Sequence, residues 1–203
     1  MAEFLLQIKA IKLQPTNPFT WASGWKSPIY CDNRITLSHP TVRTYIRQKL
    51  TQLIQEKFGA VGCIAGVATA GIPQGVLVAQ ELGLPFIYVR SKPKDHGTGN
   101  LIEGEVMQGK RVVVIEDLVS TGKSSLQAVH ALRDAGYDVA GMTAIFTYEF
   151  DVATENFKEA KCPFVTLSNY SALIKYASEN QYISPDDIDL LKKWREDPSV
   201  WGR

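Results

Sequence analysis

Cysteine is scarce in this chain, and the three present, Cys31, Cys63 and Cys162, show no metal-ligand spacing. That argues against a disulfide framework or a structural zinc site, and suits reduced thiols in the cytoplasm. An excess of one charge is also missing: 22 basic side chains meet 21 acidic ones, for a net charge of +1. A broad surface for nucleic acid is therefore not implied, and no nucleic-acid partner is expected. No hydrophobic run approaches the roughly 20 residues of a membrane span, so no membrane segment is expected either. Met1 to Lys9 carries an early acid, Glu3, and too short an apolar run to read as a signal peptide. Repeats, low-complexity tracts and linkers are not seen. What remains is 203 residues with 45% hydrophobic side chains, enough for one α/β domain with a sizeable core and a small accessory element.

The richest stretch runs from Val112 to Ser125. Val112, Val113, Val114 and Ile115 come first, without alternation, which predicts a strand buried on both faces of a parallel sheet. Glu116 and Asp117 stand where that strand is expected to end. A loop of small residues follows, Ser120-Thr121-Gly122-Lys123-Ser124, and then the helical spacing of Leu126 to Arg133. In an open α/β sheet, ligands bind beyond the carboxyl ends of the strands. Unpaired N–H groups at a helix start bind anions, so the loop points to a phosphate. Carboxylates repel a phosphate but accept hydrogen bonds from a diol. A ribose 5-phosphate carries both groups. The nucleotide-binding P-loop ends like Gly122-Lys123-Ser124, but its first glycine would fall on Asp117.

This stretch resembles the phosphoribosyl-diphosphate signature of the type I phosphoribosyltransferases. The resemblance implies an α/β fold: a single mostly parallel sheet flanked by helices. It also implies that Glu116 and Asp117 hold the ribose hydroxyls, that Leu118 and Val119 belong to the phosphoribosyl-diphosphate site, and that Ser120, Thr121, Gly122, Lys123 and Ser124 hold the 5-phosphate. Upstream, Ser23-Gly24-Trp25-Lys26-Ser27-Pro28-Ile29-Tyr30 resembles the N-terminal hood of the orotate phosphoribosyltransferases. Aromatics around Ser23-Gly24 independently suggest two short strands and a turn. The resemblance implies that Lys26, Tyr30 and Ser120 lie near orotate. Ala22 stands where many members carry a Lys, and Ile145 to Glu149 holds no Arg where one is usual.

Two further segments fit. Val61 to Gly66 reads as a core strand and Gln74 to Leu82 as a helix, and the turn between them contains Ala70 and Gly71. In the family that turn meets the diphosphate. After the strand Phe86 to Arg90 comes a long polar segment, Ser91 to Gly104. Such a loop is usually functional or disordered. Arg90, Lys94 and His96 match the family's catalytic loop, which closes over the leaving diphosphate.

Apolar spacing also predicts helices over residues 3–13, 39–58, 152–160, 170–179 and 184–196, and strands over 139–147 and 163–167. The last two helices read as structural, and His39 and His130 as surface or packing residues. The resemblance implies one phosphoribosyltransferase domain over residues 1–203, with 1–38 as N-terminal helix and hood. It also implies a homodimer with shared sites, and Mg²⁺ held by few protein ligands and several waters. Orotate and phosphoribosyl diphosphate would be the substrates, in pyrimidine biosynthesis. Another base, or a regulator that only senses phosphoribosyl diphosphate, stays open at this point.

Overall fold

The computed structural model describes residues 1–21, 23–92 and 101–201. Helix α1 (Ala2–Gln7) buries Leu5 and Leu6. Apolar periodicity extends to residue 13, but the helix stops at Gln7 and Ile11–Leu13 forms strand β1. The reason is tertiary. Lys9 takes a left-handed backbone (φ 58°), and the residues after it pair with β4 (Ile29–Cys31). Between these two, β2 (Phe19–Thr20) and β3 (Lys26–Ser27) form a small antiparallel pair around Ser23-Gly24. A 3-10 turn, Asn33–Ser38, leads into α2 (Pro40–Phe58), which starts with a proline and ends at Gly59.

Strands and helices then alternate. The order is β5 (Cys63–Val67), α3 (Gly71–Leu82), β6 (Phe86–Val89), β7 (Ile102–Glu103), β8 (Arg111–Val119), α4 (Lys123–Asp134), β9 (Asp138–Thr147), α5 (Asp151–Glu159) and β10 (Phe164–Asn169). Helices α6 (Tyr170–Glu179) and α7 (Pro185–Glu196) follow, with Ser184 and Asp187 capping α7 reciprocally.

Six strands form one sheet in the order β10-β9-β8-β5-β6-β7, parallel except at the β6–β7 pair. Helices cover both faces. Ile64, Val113 and Ile115 pack into a core with Ile46, Leu50 and Leu173. Ala65, Val112 and Val114 pack on the other side with Val129 and Leu132. Coverage of both faces is why residues 112–115 show no alternation.

Strand β8 runs on to Val119, so the acidic pair lies inside it and not beyond its end. Strand β9 continues the pairing, with Glu116 opposite Ala144 and Val119 opposite Thr147. On the other flank the paired register with β5 ends at Gly66 opposite Ile115. The carboxylates therefore sit where one neighbour has stopped and the other goes on. From β5 the chain proceeds outward to β6, and from β8 to β9 in the opposite direction. The crevice between β5 and β8 is thus a topological switch point, where open sheets bind ligands.

Candidate active site

Three strand ends build the crevice. Ala68, Thr69 and Ala70 follow β5, Arg90 and Ser91 follow β6, and Glu116, Asp117 and Leu118 come from β8. With Ser124, Gln127 and Ala128 of α4 they line a cleft of about 270 Å³. A cleft of about 490 Å³ between α6 and α7 has none of these residues in its wall. Gly71 opens α3 directly against β8, and a Cβ there would run into the carbonyl oxygen of Ile115. Only glycine permits that approach.

Glu116 is 6% exposed, and its environment is tightly specified. One carboxylate oxygen accepts the Asp117 N–H at 3.0 Å, and the other accepts the Ser125 hydroxyl at 3.2 Å. Burial first, and then the neighbouring Asp117, push the Glu116 carboxyl well above the usual range. Asp117 is also raised, chiefly by burial, but the bond from Glu116 and the Leu118 N–H oppose the rise. Both carboxyls are thus raised, and each acts on the titration of the other.

The loop after β8 has the form of an anion cradle. Gly122 takes a left-handed conformation (φ 78°) and, as the N-cap of α4, offers no side chain to cap the helix start. The first N–H groups of that helix are left for a ligand. Asn156 Nδ2 donates to the Thr121 carbonyl at 2.9 Å and pins the loop from below. Ser120 and Thr121 are half-buried, and Lys123 and Ser124 are exposed. Val119 is fully buried, so its side chain belongs to the core.

Arg90 is in place at the rim, where its Nη1 stands 3.4 Å from Glu103 Oε1. Lys94 and His96 lie outside the described residues, as does Ala22. In the hood, Lys26 is exposed and its Nζ donates to Thr20 Oγ1 at 2.8 Å. Tyr30 is 40% exposed, with its ring centroid 5.6 Å from that of Phe19. The hood docks over the ends of β8 and β9. Asn33 Nδ2 donates to the Asp117 carbonyl at 2.7 Å, and the Trp21 and Tyr148 rings meet at 5.1 Å.

Residues 36–178 match the family described as the phosphoribosyl transferase domain. The chain belongs to the phosphoribosyltransferase family. An orotate phosphoribosyltransferase from Phocaeicola vulgatus is 62% identical over 200 residues, covering 98% of this chain and 94% of that protein. One from Listeria innocua is 53% identical over 203 residues, covering 100% and 97%. The crystal structure of orotate phosphoribosyltransferase from Aeropyrum pernix superposes with a TM-score of 0.77 at 25% identity, covering 90% of this chain and 99% of that one.

In this phosphoribosyltransferase several site residues escaped the sequence reading. Thr69 and Gln127 line the cleft, and Ser125 holds Glu116. Ser125 carried a faint signal, as one more hydroxyl just past the small-residue loop. Asn33 carried none, because it lies 84 positions from its partner Asp117. Tyr148 falls in the segment without an Arg. It is 2% exposed, stacks on Phe150 at 5.5 Å and meets Trp194 at 5.8 Å. An apolar clasp between hood, sheet and α7 occupies that place.

Proposed function

We propose that the chain transfers the ribose 5-phosphate group of phosphoribosyl diphosphate to orotate, giving orotidine 5-phosphate and diphosphate, a step of pyrimidine biosynthesis. The observation that carries this is the meeting of an acidic pair and an uncapped helix start at one switch point, under an aromatic hood. The relatives named orotate phosphoribosyltransferase, at 53% and 62% identity, support the base.

The chemistry is a displacement at the anomeric carbon of ribose. Positive charge grows on the ring while negative charge leaves on the diphosphate. No covalent nucleophile is needed, and catalysis comes from positioning and electrostatics. Glu116 and Asp117 accept the ribose hydroxyls. The α4 start, with Ser120, Thr121, Gly122, Lys123 and Ser124, takes the 5-phosphate. The backbone of Ala70 and Gly71 meets the diphosphate, and Arg90, Lys94 and His96 balance its charge as it leaves. Lys26, Tyr30 and Ser120 address orotate.

The cleft suits Mg²⁺, which would be held mainly by substrate phosphates and waters with at most one or two protein carboxylates. Glu116 and Asp117 are the carboxylates lining the cleft. When bound, the ion neutralises charge on the diphosphate oxygens. We read residues 1–203 as one domain with 1–38 as helix and hood, and the enzyme as a cytoplasmic homodimer that shares its sites.

The test is direct. The protein is incubated with phosphoribosyl diphosphate, Mg²⁺ and, in turn, orotate, uracil, adenine, guanine or hypoxanthine. Orotate should be consumed and the others left. A purine consumed as fast as orotate overturns the base, and no consumption of any base favours a sensor.

A further inference from the structure

We infer that Asn33 is a positioning residue for the ribose-holding carboxylate, acting through the backbone of Asp117. The inference rests on Asp117 holding the ribose. It starts from an orphaned carbonyl. Beside the acidic pair β5 keeps its ladder with β6, where the Ala68 N–H donates to the Val89 carbonyl at 2.8 Å, but its pairing with β8 stops. The register between β5 and β8 ends at Gly66 and Ile115. The Asp117 carbonyl lies beyond that end, and a side chain supplies its partner: Asn33 Nδ2, at 2.7 Å. Asn33 therefore stands in for the missing strand.

Asn33 is itself immobilised. It is 2% exposed, and its Oδ1 accepts from the Cys31 thiol at 3.4 Å. Its own carbonyl accepts from Thr36 Oγ1 at 2.6 Å, and Thr36 Oγ1 accepts from Gln74 Nε2 at 3.3 Å. Thr36 and Gln74 are buried to 0% and 1% exposure. A buried chain of hydrogen bonds thus runs from α3, through the Asn33–Ser38 turn at the end of the hood, to the main chain of Asp117. Buried polar groups in such chains rigidify what they hold.

The residue type follows from charge. A cation at position 33 would pair with the Asp117 carboxylate and compete with the ribose. An amide satisfies the carbonyl and leaves the carboxylate its charge. The adjacent cation, Arg34, makes its hydrogen bonds to Asp32, through Nε at 2.7 Å and Nη2 at 2.9 Å, and reaches Asp117 only through its charge, which favours the ionised carboxylate.

The test is a cycle of steady-state kinetics with Asn33→Leu, Asn33→Ala, Asp117→Asn and the two doubles. Leu keeps the bulk of the side chain and removes the donor, and Ala removes both. Each Asn33 variant should raise KM for phosphoribosyl diphosphate roughly fivefold or more and shift KM for orotate less. In the Asp117→Asn background the same changes should add little, because both act on one contact. If the losses multiply in full, or if both Asn33 variants keep the wild-type KM, the positioning role is overturned. If Asp117→Asn alone leaves KM and kcat unchanged, it is the ribose reading that fails.

Discussion

The indole N–H of Trp194 donates to the main-chain carbonyl of Lys26 across 3.2 Å. This bond joins α7 to the hood over a separation of 168 residues. Trp194 is fully buried, and its ring meets those of Trp21, Tyr148, Phe150 and Tyr170 within 5.4–5.8 Å. The last helix is structural, as its sequence suggests, but what it supports is the strand that presents Lys26.

Trp194→Phe keeps most of the ring packing and removes the donor. The lost bond should cost about 1 kcal/mol. In a chain of this size that lowers Tm by about 2–4 °C. KM for orotate should rise while KM for phosphoribosyl diphosphate stays near wild type, since the loosened strand carries Lys26. Thermal melts and two-substrate kinetics check this, and equal changes in both KM values would count against it.

Asp117→Asn turns an acceptor into a donor and removes a charge-assisted bond of roughly 1.5–3 kcal/mol. Binding or turnover of phosphoribosyl diphosphate should fall by about tenfold or more. Kinetics on variant whose circular dichroism matches wild type will decide. Unchanged constants would reduce the acidic pair to a structural feature of the strand.

The pH dependence follows from Glu116. Its carboxyl is raised in the folded protein by burial and by Asp117, so the native state binds the proton more tightly than the unfolded chain. This contribution to stability is full below the ordinary glutamate range and is lost as pH rises through the raised value. The ligand-free protein should thus lose Tm as pH climbs above that range, and Glu116→Gln should flatten the curve. Substrate works in the opposite sense, because ribose hydroxyls need an ionised acceptor. KM for phosphoribosyl diphosphate should increase toward acid pH. Melts and kinetics over a series of pH values, from the ordinary glutamate range upward, measure both trends.

Gly122→Ala places a Cβ in a left-handed backbone and 2.8 Å from the Phe157 ring. The backbone penalty alone is about 1–2 kcal/mol. Tm should fall, and KM for phosphoribosyl diphosphate should rise, because the strained loop carries the first N–H groups of α4. A variant with wild-type KM would detach the loop from the 5-phosphate.

Shared sites can be read by complementation. Lys94→Ala and Asp117→Asn homodimers should each be nearly inactive. After random subunit exchange, half of the dimers are mixed, each with one doubly damaged and one intact site, so activity should return to about one quarter of wild type. Verified heterodimers without activity would place loop and cradle in one chain.

Local sequence determined much of this protein. Four branched residues in a row announced the buried central strand, because coverage on both faces removes alternation. Small residues between strand and helix announced a short loop opening α4 at a glycine, because only they leave the first amides open. Those signals are local in the chain. Tertiary structure decided the rest. It ended α1 early by offering Ile11–Leu13 a partner in β4. It carried β8 past the acidic pair because β9 continues alongside, while the pairing of β8 with β5 ends at Ile115 and leaves the cleft. It also brought Asn33 to Asp117 and Trp194 to Lys26, across 84 and 168 residues. An amide or an indole in sequence looks the same whether it meets solvent or an orphaned carbonyl, and only the folded chain supplies the carbonyl.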